Sequence, residues 1–496
     1  MPKMLQELLS LLPGASVSGP AQIAISSITA DSRQAQPGAL FICLPGHRVD
    51  GHDYIGQAAD AGAAAVLVER DVTIPEGLTA IRVADTRQAV QTLAPYFYDY
   101  PGRQLRLIGV TGTNGKTTTT HLIRDILKAA GLKTGLIGTI HVMIGDESLP
   151  VANTTPDVLD LQALLDRMHT AGVTHVIMEV SSHALELNRT AGCEFDTAVF
   201  TNLTQDHLDF HGTLDNYLRA KAKLFGQLGG SGAVKNGKHA VINADDAAAP
   251  ALTEACAVPV VTYGTGQEGE IRADDIAVKA GGASFTVTCQ QGVLPLSLKI
   301  TGLFNVYNTL AAIGAALAEG VDVTTIKEAL EKFTTVDGRF ELVDVGQPYA
   351  VIVDYAHTPD GLENILRTAR QFAEGRIIVV FGCGGDRDKT KRPIMGRLAA
   401  ELGDIVLATS DNPRTEDPAA ILADIEAGIR AGLAHGKTYE VIPDRRQAIS
   451  RAIGMAADRD IVIIAGKGHE TYQILKNKTI AFDDRNVARA MIKERR

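Results

Sequence analysis

The chain has 496 residues, of which 45% are hydrophobic and 21% charged, with 48 glycines; this is the composition of a folded α/β protein rather than a disordered or fibrous one. With 48 basic against 58 acidic residues the formal net charge is −10, which excludes a global basic field for nucleic acid or acidic lipid. No stretch stays apolar over the roughly 18 residues a membrane span needs, and cysteines 43, 193, 256, 289 and 383 form no C-x-x-C pair, so reduced thiols and a cytoplasmic location are expected.

The length suggests about three domains, and the chain divides at 1–101, 102–337 and 338–496. In the first block, Met1 to Pro13 carries an apolar helical pattern without the charge layout of a signal peptide. The runs Leu40–Leu44 and Ala63–Val68 read as short strands between helices, and Asp99-Tyr-Pro-Gly102 is turn chemistry at a boundary. The second block opens with the apolar run Leu105–Val110, holds a strand-rich stretch near 255–300 and closes on a helical region after Gly302-Leu-Phe-Asn305. In the third, Ala350–Asp354, Ile377–Phe381, Ile405–Ala408 and Ile461–Ala465 are buried-strand runs separated by helices. That rhythm predicts a doubly wound, Rossmann-like parallel sheet with ligands at the carboxyl ends of its strands.

The segment Gly109-Val-Thr-Gly-Thr-Asn-Gly-Lys-Thr117 lies between a predicted strand and the helical pattern beginning near His121. Strand, glycine loop and helix aim backbone N–H groups and a helix N-terminus at a phosphate chain. Lys116 would reach the β/γ-phosphates and the Thr117 hydroxyl would ligate Mg²⁺. The strict phosphate-loop pattern asks for glycine at 110, where this chain has Val110. Glu179 ends the apolar run Thr174–Met178, beside Ser181, Ser182 and His183, and Asp206, His207, Asp209 and His211 cluster after the run Ala198–Phe200. Carboxylate and imidazole at strand ends suit the positioning of Mg²⁺. In Tyr217–Phe225, Lys221 and Lys223 point to different faces of a helix, so at most one faces the site; spacing does not choose between them.

Three polar loops follow strands of the third block: Phe381–Lys389, Thr409–Arg414 and Ala465–Glu470. They should converge in one crevice. Arg387 and Arg414 offer planar donors for a carboxylate, and Asp411 and Glu470 offer acceptors for an ammonium, a set suited to a zwitterionic amino acid.

Taken together, Thr111–Thr117, Glu179-Val-Ser-Ser-His183, Asp206-His-Leu-Asp209, Gly302–Asn305, Asp354-Tyr-Ala-His-Thr-Pro359, Asp411-Asn-Pro-Arg414 and Gly466-Lys-Gly-His-Glu470 resemble the signature set of the Mur ligases, from about residue 25 to the C-terminus. The resemblance implies three α/β domains: an N-terminal UDP-binding domain, a central ATPase-type domain and a C-terminal ligase domain. It implies a cell-wall peptide-bond ligase in which ATP phosphorylates the D-glutamate carboxyl of UDP-MurNAc-L-Ala-D-Glu and a third amino acid attacks the acyl phosphate. Catalysis would rest on Lys116, Glu179, His207 and Lys221, the last as a carbamate. Thr117, Glu179, His207 and Lys221 would form the magnesium sites. ATP would lie on Gly112, Thr113, Asn114, Gly115, Lys116, Thr117, Thr118, Asn305, Asn308, Arg339 and His357. Ala30, Ser32, His47, Arg48 and Val49 would take the UDP end, and Asn153, Thr154, Thr155, Ser181 and Arg189 the muramoyl dipeptide. Arg387, Asp411, Asn412, Pro413, Arg414, Gly466 and Glu470 would bind the incoming amino acid.

In that family the Asp-Asn-Pro-Arg form goes with meso-diaminopimelate, whose distal carboxylate needs a cation such as Arg414. The rivals are a lysine-adding relative, the related folylpolyglutamate synthetases, which lack a block like residues 1–101, a plain phosphate-loop NTPase or kinase, and a non-catalytic nucleotide-sugar module. Small molecules are the expected partners, without nucleic acid or a membrane span, and a monomer is expected. Asp337-Gly338-Arg339 is the candidate hinge.

Overall fold

The computed structural model describes residues 2–46, 49–151, 153–230, 234–279 and 281–495. Three main sheets follow one another along the chain. The first has five strands in the order Ser16–Ser18, Thr79–Arg82, Ala65–Val68, Ala39–Ile42, Ser27–Thr29, all parallel except Ser16–Ser18 at one edge. The N-terminal helical pattern forms a helix only over Leu5–Ser10, which buries Leu5 and Leu8. Asp99 and Tyr100 take left-handed φ values of 57° and 52° at the expected turn, before the short helix Pro101–Gln104.

The second sheet has eleven strands. Its centre is parallel, in the spatial order Thr134–Ile137, His175–Glu179, Arg106–Thr111, Thr197–Phe200, His239–Asn243, Val260–Gly264. Helices Lys116–Ala129 and Leu303–Ala318 pack on one face through Ile123, Ile126, Leu310 and Ile313, and Val158–Thr170 and Leu214–Gly226 on the other through Leu161, Leu165, Leu224 and Phe225. Covered on both faces, these strands are buried almost without alternation. The strand-rich stretch forms the far wing, where Ile271–Lys279, Gly282–Cys289 and Gly292–Leu298 pair antiparallel and residues such as Leu294, Leu296 and Leu298 alternate inward.

The third sheet runs Glu341–Leu342, Ala350–Asp354, Ile461–Ala465, Ile377–Phe381, Ile405–Ala408, Thr438–Val441, parallel but for the first pair. All four apolar runs read from the sequence are its inner strands, and helices cover both faces as a doubly wound sheet requires. Thr438–Val441 and the terminal hairpin Tyr472–Leu475 with Lys478–Ala481 escape the sequence reading, because both are half-exposed and mix polar with apolar residues. All five cysteines are free, with Cys43 and Cys383 buried. Among the described residues no helix is long and apolar enough to cross a membrane.

Candidate active site

The strand Arg106–Thr111 delivers the chain into a loop in which Gly115 has φ 87° and caps the helix that begins at Lys116. A Cβ on Gly115 would sit 2.3 Å from Asn308 Oδ1, so the loop closes against helix Leu303–Ala318 with room for glycine alone. The neighbouring strand end fixes the loop further: the Thr113 amide donates to the Asn202 carbonyl at 2.8 Å and the Asn114 amide to Asn202 Oδ1 at 2.9 Å. Lys116 curls over it, its Nζ donating to the carbonyls of Gly112 (2.9 Å) and Thr113 (2.7 Å), and burial lowers its pKa from the usual 10.5.

Glu179, 1% exposed, ends the adjacent strand. It accepts from the Thr139 amide (2.8 Å), the Thr139 hydroxyl (3.0 Å) and the Thr117 hydroxyl (3.1 Å). Helix Leu214–Gly226 resolves the choice between the two lysines. Lys221 is 1% exposed on its buried face, donates from Nζ to the Gly112 carbonyl at 2.8 Å and lies 4.3 Å from the Tyr217 ring centroid. Lys223 points outward to Glu186 at 2.7 Å. Burial, reinforced by the nearby Lys116 charge, pushes the Lys221 pKa well below 10.5 and favours the neutral amine. His207 has φ 54° and its ring stands 4.7 Å from His183 and 6.0 Å from Tyr217; burial pushes its pKa down to about 4. His211 is buried and bonded to the Ser182 hydroxyl at 3.0 Å.

The phosphate loop, Glu179, His207 and Lys221, but not His183, His211 or Lys223, line a cleft of about 680 Å³ between the second and third sheets. Gly112 to Thr118, Thr154, Glu179, Ser181, His207, Lys221 and Asn308 line one side; Arg339, Tyr355 and His357 come from the other. Asn305 lies one helical turn away and accepts from Asn308 Nδ2 at 3.1 Å. Arg339 crosses the divide to donate to the Thr117 hydroxyl at 3.1 Å. Asp360 crosses it too, accepting from the Asn114 amide group and from the Thr204 hydroxyl at 2.9 Å. At the join, Gly338 has φ 63°, and a Cβ there would sit 2.0 Å from the His469 amide nitrogen.

Of the residues expected around the muramoyl dipeptide, Thr155 donates to the Glu179 carbonyl at 2.9 Å and accepts from the Ser181 amide at 3.0 Å, Thr154 bonds Thr139 at 3.0 Å, and Arg189 pairs with Asp157 at 2.8 Å while donating to the Thr155 carbonyl at 3.3 Å. Asn153 is exposed beside them. Ala30, Ser32 and Val49 sit apart from the cleft lining, past the carboxyl ends of the paired first-sheet strands Ser27–Thr29 and Ala39–Ile42; Ser32 is bonded to Gln57 and Val49 is exposed. His47 and Arg48 lie outside the described residues.

The three loops of the third sheet do meet. A Cβ on Gly466 would be 2.6 Å from Asp411 Oδ2, and Arg414 donates to the Gly385 carbonyl at 2.8 Å. Asp411, Asn412 and Pro413 are buried, Arg414 is half-buried with φ 52°, and Arg387 is exposed. Asn412 Nδ2 donates to Glu470 Oε2 at 2.9 Å.

Sequence reasoning missed Thr139, Asn202, Tyr217, Tyr355, Asp360 and Lys467. Asn202, Tyr217, Tyr355 and Lys467 stand inside segments singled out from the sequence and Asp360 directly follows one, but residue type and spacing alone gave none of them a role. The residues present suit a hard divalent cation: Thr117 hydroxyl and Glu179 carboxylate converge beside the phosphate loop, and Mg²⁺ is commonly held by one or two carboxylates plus substrate phosphates. Among the described residues no cluster of three or more His, Cys, Asp or Glu forms a protein-only metal cage.

Comparison with known proteins agrees with this architecture. Family models match in chain order: "Mur ligase family, catalytic domain" over residues 24–98, "Mur ligase middle domain" over 110–316 and "Mur ligase, glutamate ligase domain" over 338–468. The UDP-N-acetylmuramoyl-L-alanyl-D-glutamate–2,6-diaminopimelate ligase of Geobacillus thermodenitrificans is 51% identical over 492 residues, 99% of this chain and 100% of that one. The ligase of the same name from Bacillus cereus is 51% identical over 470 residues, 94% of each chain. A solved structure of a UDP-N-acetylmuramoyl-L-alanyl-D-glutamate–2,6-diaminopimelate ligase superposes with a TM-score of 0.68 at 33% identity, covering 100% of this chain and 99% of that one. Sheet order, cleft and relatives agree: the chain belongs to the Mur ligase family.

Proposed function

We propose that this chain joins meso-diaminopimelate to UDP-MurNAc-L-Ala-D-Glu, using ATP. One juxtaposition supports the reading: a phosphate loop with buried Glu179 and Lys221 shares a single cleft with Arg339, Tyr355 and His357 of the third sheet, and the three loops that gather cations and carboxylates at the strand ends of that same sheet stand beyond the cleft lining. A carboxylate is a poor acyl donor until one of its oxygens becomes a phosphate leaving group. ATP supplies that phosphate: the bond from the γ-phosphorus to ADP breaks as the D-glutamate oxygen bonds phosphorus. The amine of the third amino acid then forms the C–N bond, inorganic phosphate leaves and the amine loses a proton.

The loop amides, Lys116 and Arg339 would orient the β- and γ-phosphates and spread their charge. Thr154, Thr155, Ser181 and Arg189 would hold the dipeptide, and the first sheet, through Ala30, Ser32, His47, Arg48 and Val49, the uridine end. Thr117, Glu179, His207 and a carbamylated Lys221 would hold Mg²⁺, which screens two anions brought together. Carbamylation needs a neutral amine to attack CO₂ with loss of one proton, and the buried Lys221 meets that need. Asp411 and Glu470 would take ammonium groups, and Arg387 and Arg414 carboxylates.

The test is Mg²⁺-ATP turnover with UDP-MurNAc-L-Ala-D-Glu, offering meso-diaminopimelate or L-lysine and weighing the product by mass spectrometry. A tripeptide with diaminopimelate alone is expected. Lysine product would keep the ligase and overturn the specificity; ATP hydrolysis with no peptide product would move the chain to the plain NTPases. Arg414→Ala should cost about 10- to 150-fold with diaminopimelate and less with lysine, since one charge-assisted pair contributes roughly 1.5–3 kcal/mol.

A further inference from the structure

Lys467 lies inside the amino-acid loop and is completely buried. A buried ammonium needs an anion and hydrogen-bond acceptors to remain charged. Lys467 has them: Nζ donates to Glu470 Oε2 at 2.7 Å and to Asn412 Oδ1 at 3.1 Å, and stands 5.6 Å from the Tyr472 ring centroid. Asn412 closes the triangle, its Nδ2 donating to the same Glu470 Oε2 at 2.9 Å while its Oδ1 also accepts from the Ile474 amide at 2.9 Å. The hairpin behind completes the brace, with Gln473 donating to the Asp411 carbonyl at 2.7 Å and the Arg414 amide to the Ile474 carbonyl at 3.2 Å.

The consequence is an asymmetric carboxylate. Both donors converge on Glu470 Oε2, and among the described residues none bonds Oε1. The oxygen left without a protein donor is therefore set by Lys467 together with Asn412. Two strand-end loops otherwise separated by 55 residues are locked at one point.

We propose that Lys467 is a positioning residue for the acceptor amino acid: it fixes the rotamer of Glu470 and Asn412 so that Glu470 Oε1 alone is presented to the incoming ammonium. Lys467 touches no reacting atom; it acts through Glu470. The assignment rests on the ligase reading above.

The experiment uses the full-length enzyme, with KM and kcat for diaminopimelate and KM for ATP measured in wild type, Lys467→Met and Lys467→Gln. Lys467→Met should raise the diaminopimelate KM by about 30-fold or more, with ATP KM and saturating kcat within about 3-fold of wild type. Lys467→Gln, which keeps a donor of similar reach, should recover part of that KM loss. A diaminopimelate KM unmoved by either variant overturns the proposal, as does an equal loss in ATP KM and kcat, which would make Lys467 a general structural residue. Should Lys467→Met not fold, Lys467→Gln decides alone: a raised diaminopimelate KM with an unchanged ATP KM supports the assignment and an unchanged KM overturns it. Failure of the ligase reading itself is separately visible, because wild-type enzyme would then form no tripeptide.

Discussion

Lys221, on a helix against the second sheet, and Lys467, in a loop of the third, are both buried to within 1% of complete, and their surroundings are opposites. Lys467 meets a carboxylate and an amide oxygen at hydrogen-bond distance. Lys221 meets one backbone carbonyl, an aromatic ring and the repulsion of Lys116; Asp206 acts on it only through its charge, and among the described residues no carboxylate forms an ion pair with it. A buried lysine with an anion stays a cation and organises what surrounds it; one without an anion is driven toward the free amine, a nucleophile. The molecule thus uses one residue type as a bolt in the amino-acid loop and as a reagent beside the phosphate loop.

The contrast breaks most visibly at Lys221. Lys221→Ala should lower ligation by about 10³-fold, beyond the 10- to 100-fold typical of outer-shell partners, and a short carboxylic acid filling the vacated space should restore part of it. An alanine variant with full turnover would remove the carbamate role. The effect on stability comes next in size, and here the two lysines should differ in sign. Because the folded pKa of Lys221 is depressed, the unfolded chain binds the extra proton below 10.5; stability is lost as pH falls through the unfolded value, and the penalty disappears above it. Lys221→Met should therefore raise the thermal midpoint of the substrate-free protein, more at pH 7 than at pH 10, whereas Lys467→Met should lower it by stranding Glu470. Calorimetry at the two pH values checks both directions, and equal signs would dissolve the comparison. Smallest is the control: Lys223→Ala, which removes only an exposed pair with Glu186, should leave turnover within about twofold and stability within about 0.5 kcal/mol.

How much of this was legible in the sequence follows the same physics. Runs such as Ile377–Phe381 and Ile461–Ala465 announce themselves because a parallel strand covered on both faces must be apolar throughout. Thr438–Val441 and the hairpin at 472–481 do not, since half-exposed strands carry polar residues that read as loop. The phosphate loop, Glu179 and the three amino-acid loops were marked by glycine and charge at strand ends. Spacing could not choose Lys221 over Lys223, because the helix places them on different faces and only the fold decides which face is inside. Lys467 was overlooked for a related reason: Lys467 and Glu470, three residues apart, look like an ordinary surface pair until Asn412 arrives from 55 residues away.

The seam between the second and third sheets has a practical consequence for building chimeras. Arg339 to Thr117, Asp360 to Asn114 and Thr204, Arg485 to Asp337, and the Phe340 ring against that of Phe304 stitch it. The residues that would read the incoming amino acid lie on the far side of those stitches, whereas those that would activate the carboxylate lie on the near side except for Arg339 and His357, which reach into the cleft from the far side. The C-terminal module is in that sense a cartridge. One taken from a relative with a different acceptor should plug into this host when it brings arginine, phenylalanine, aspartate and arginine at positions 339, 340, 360 and 485, and it would carry its own choice of amino acid with it.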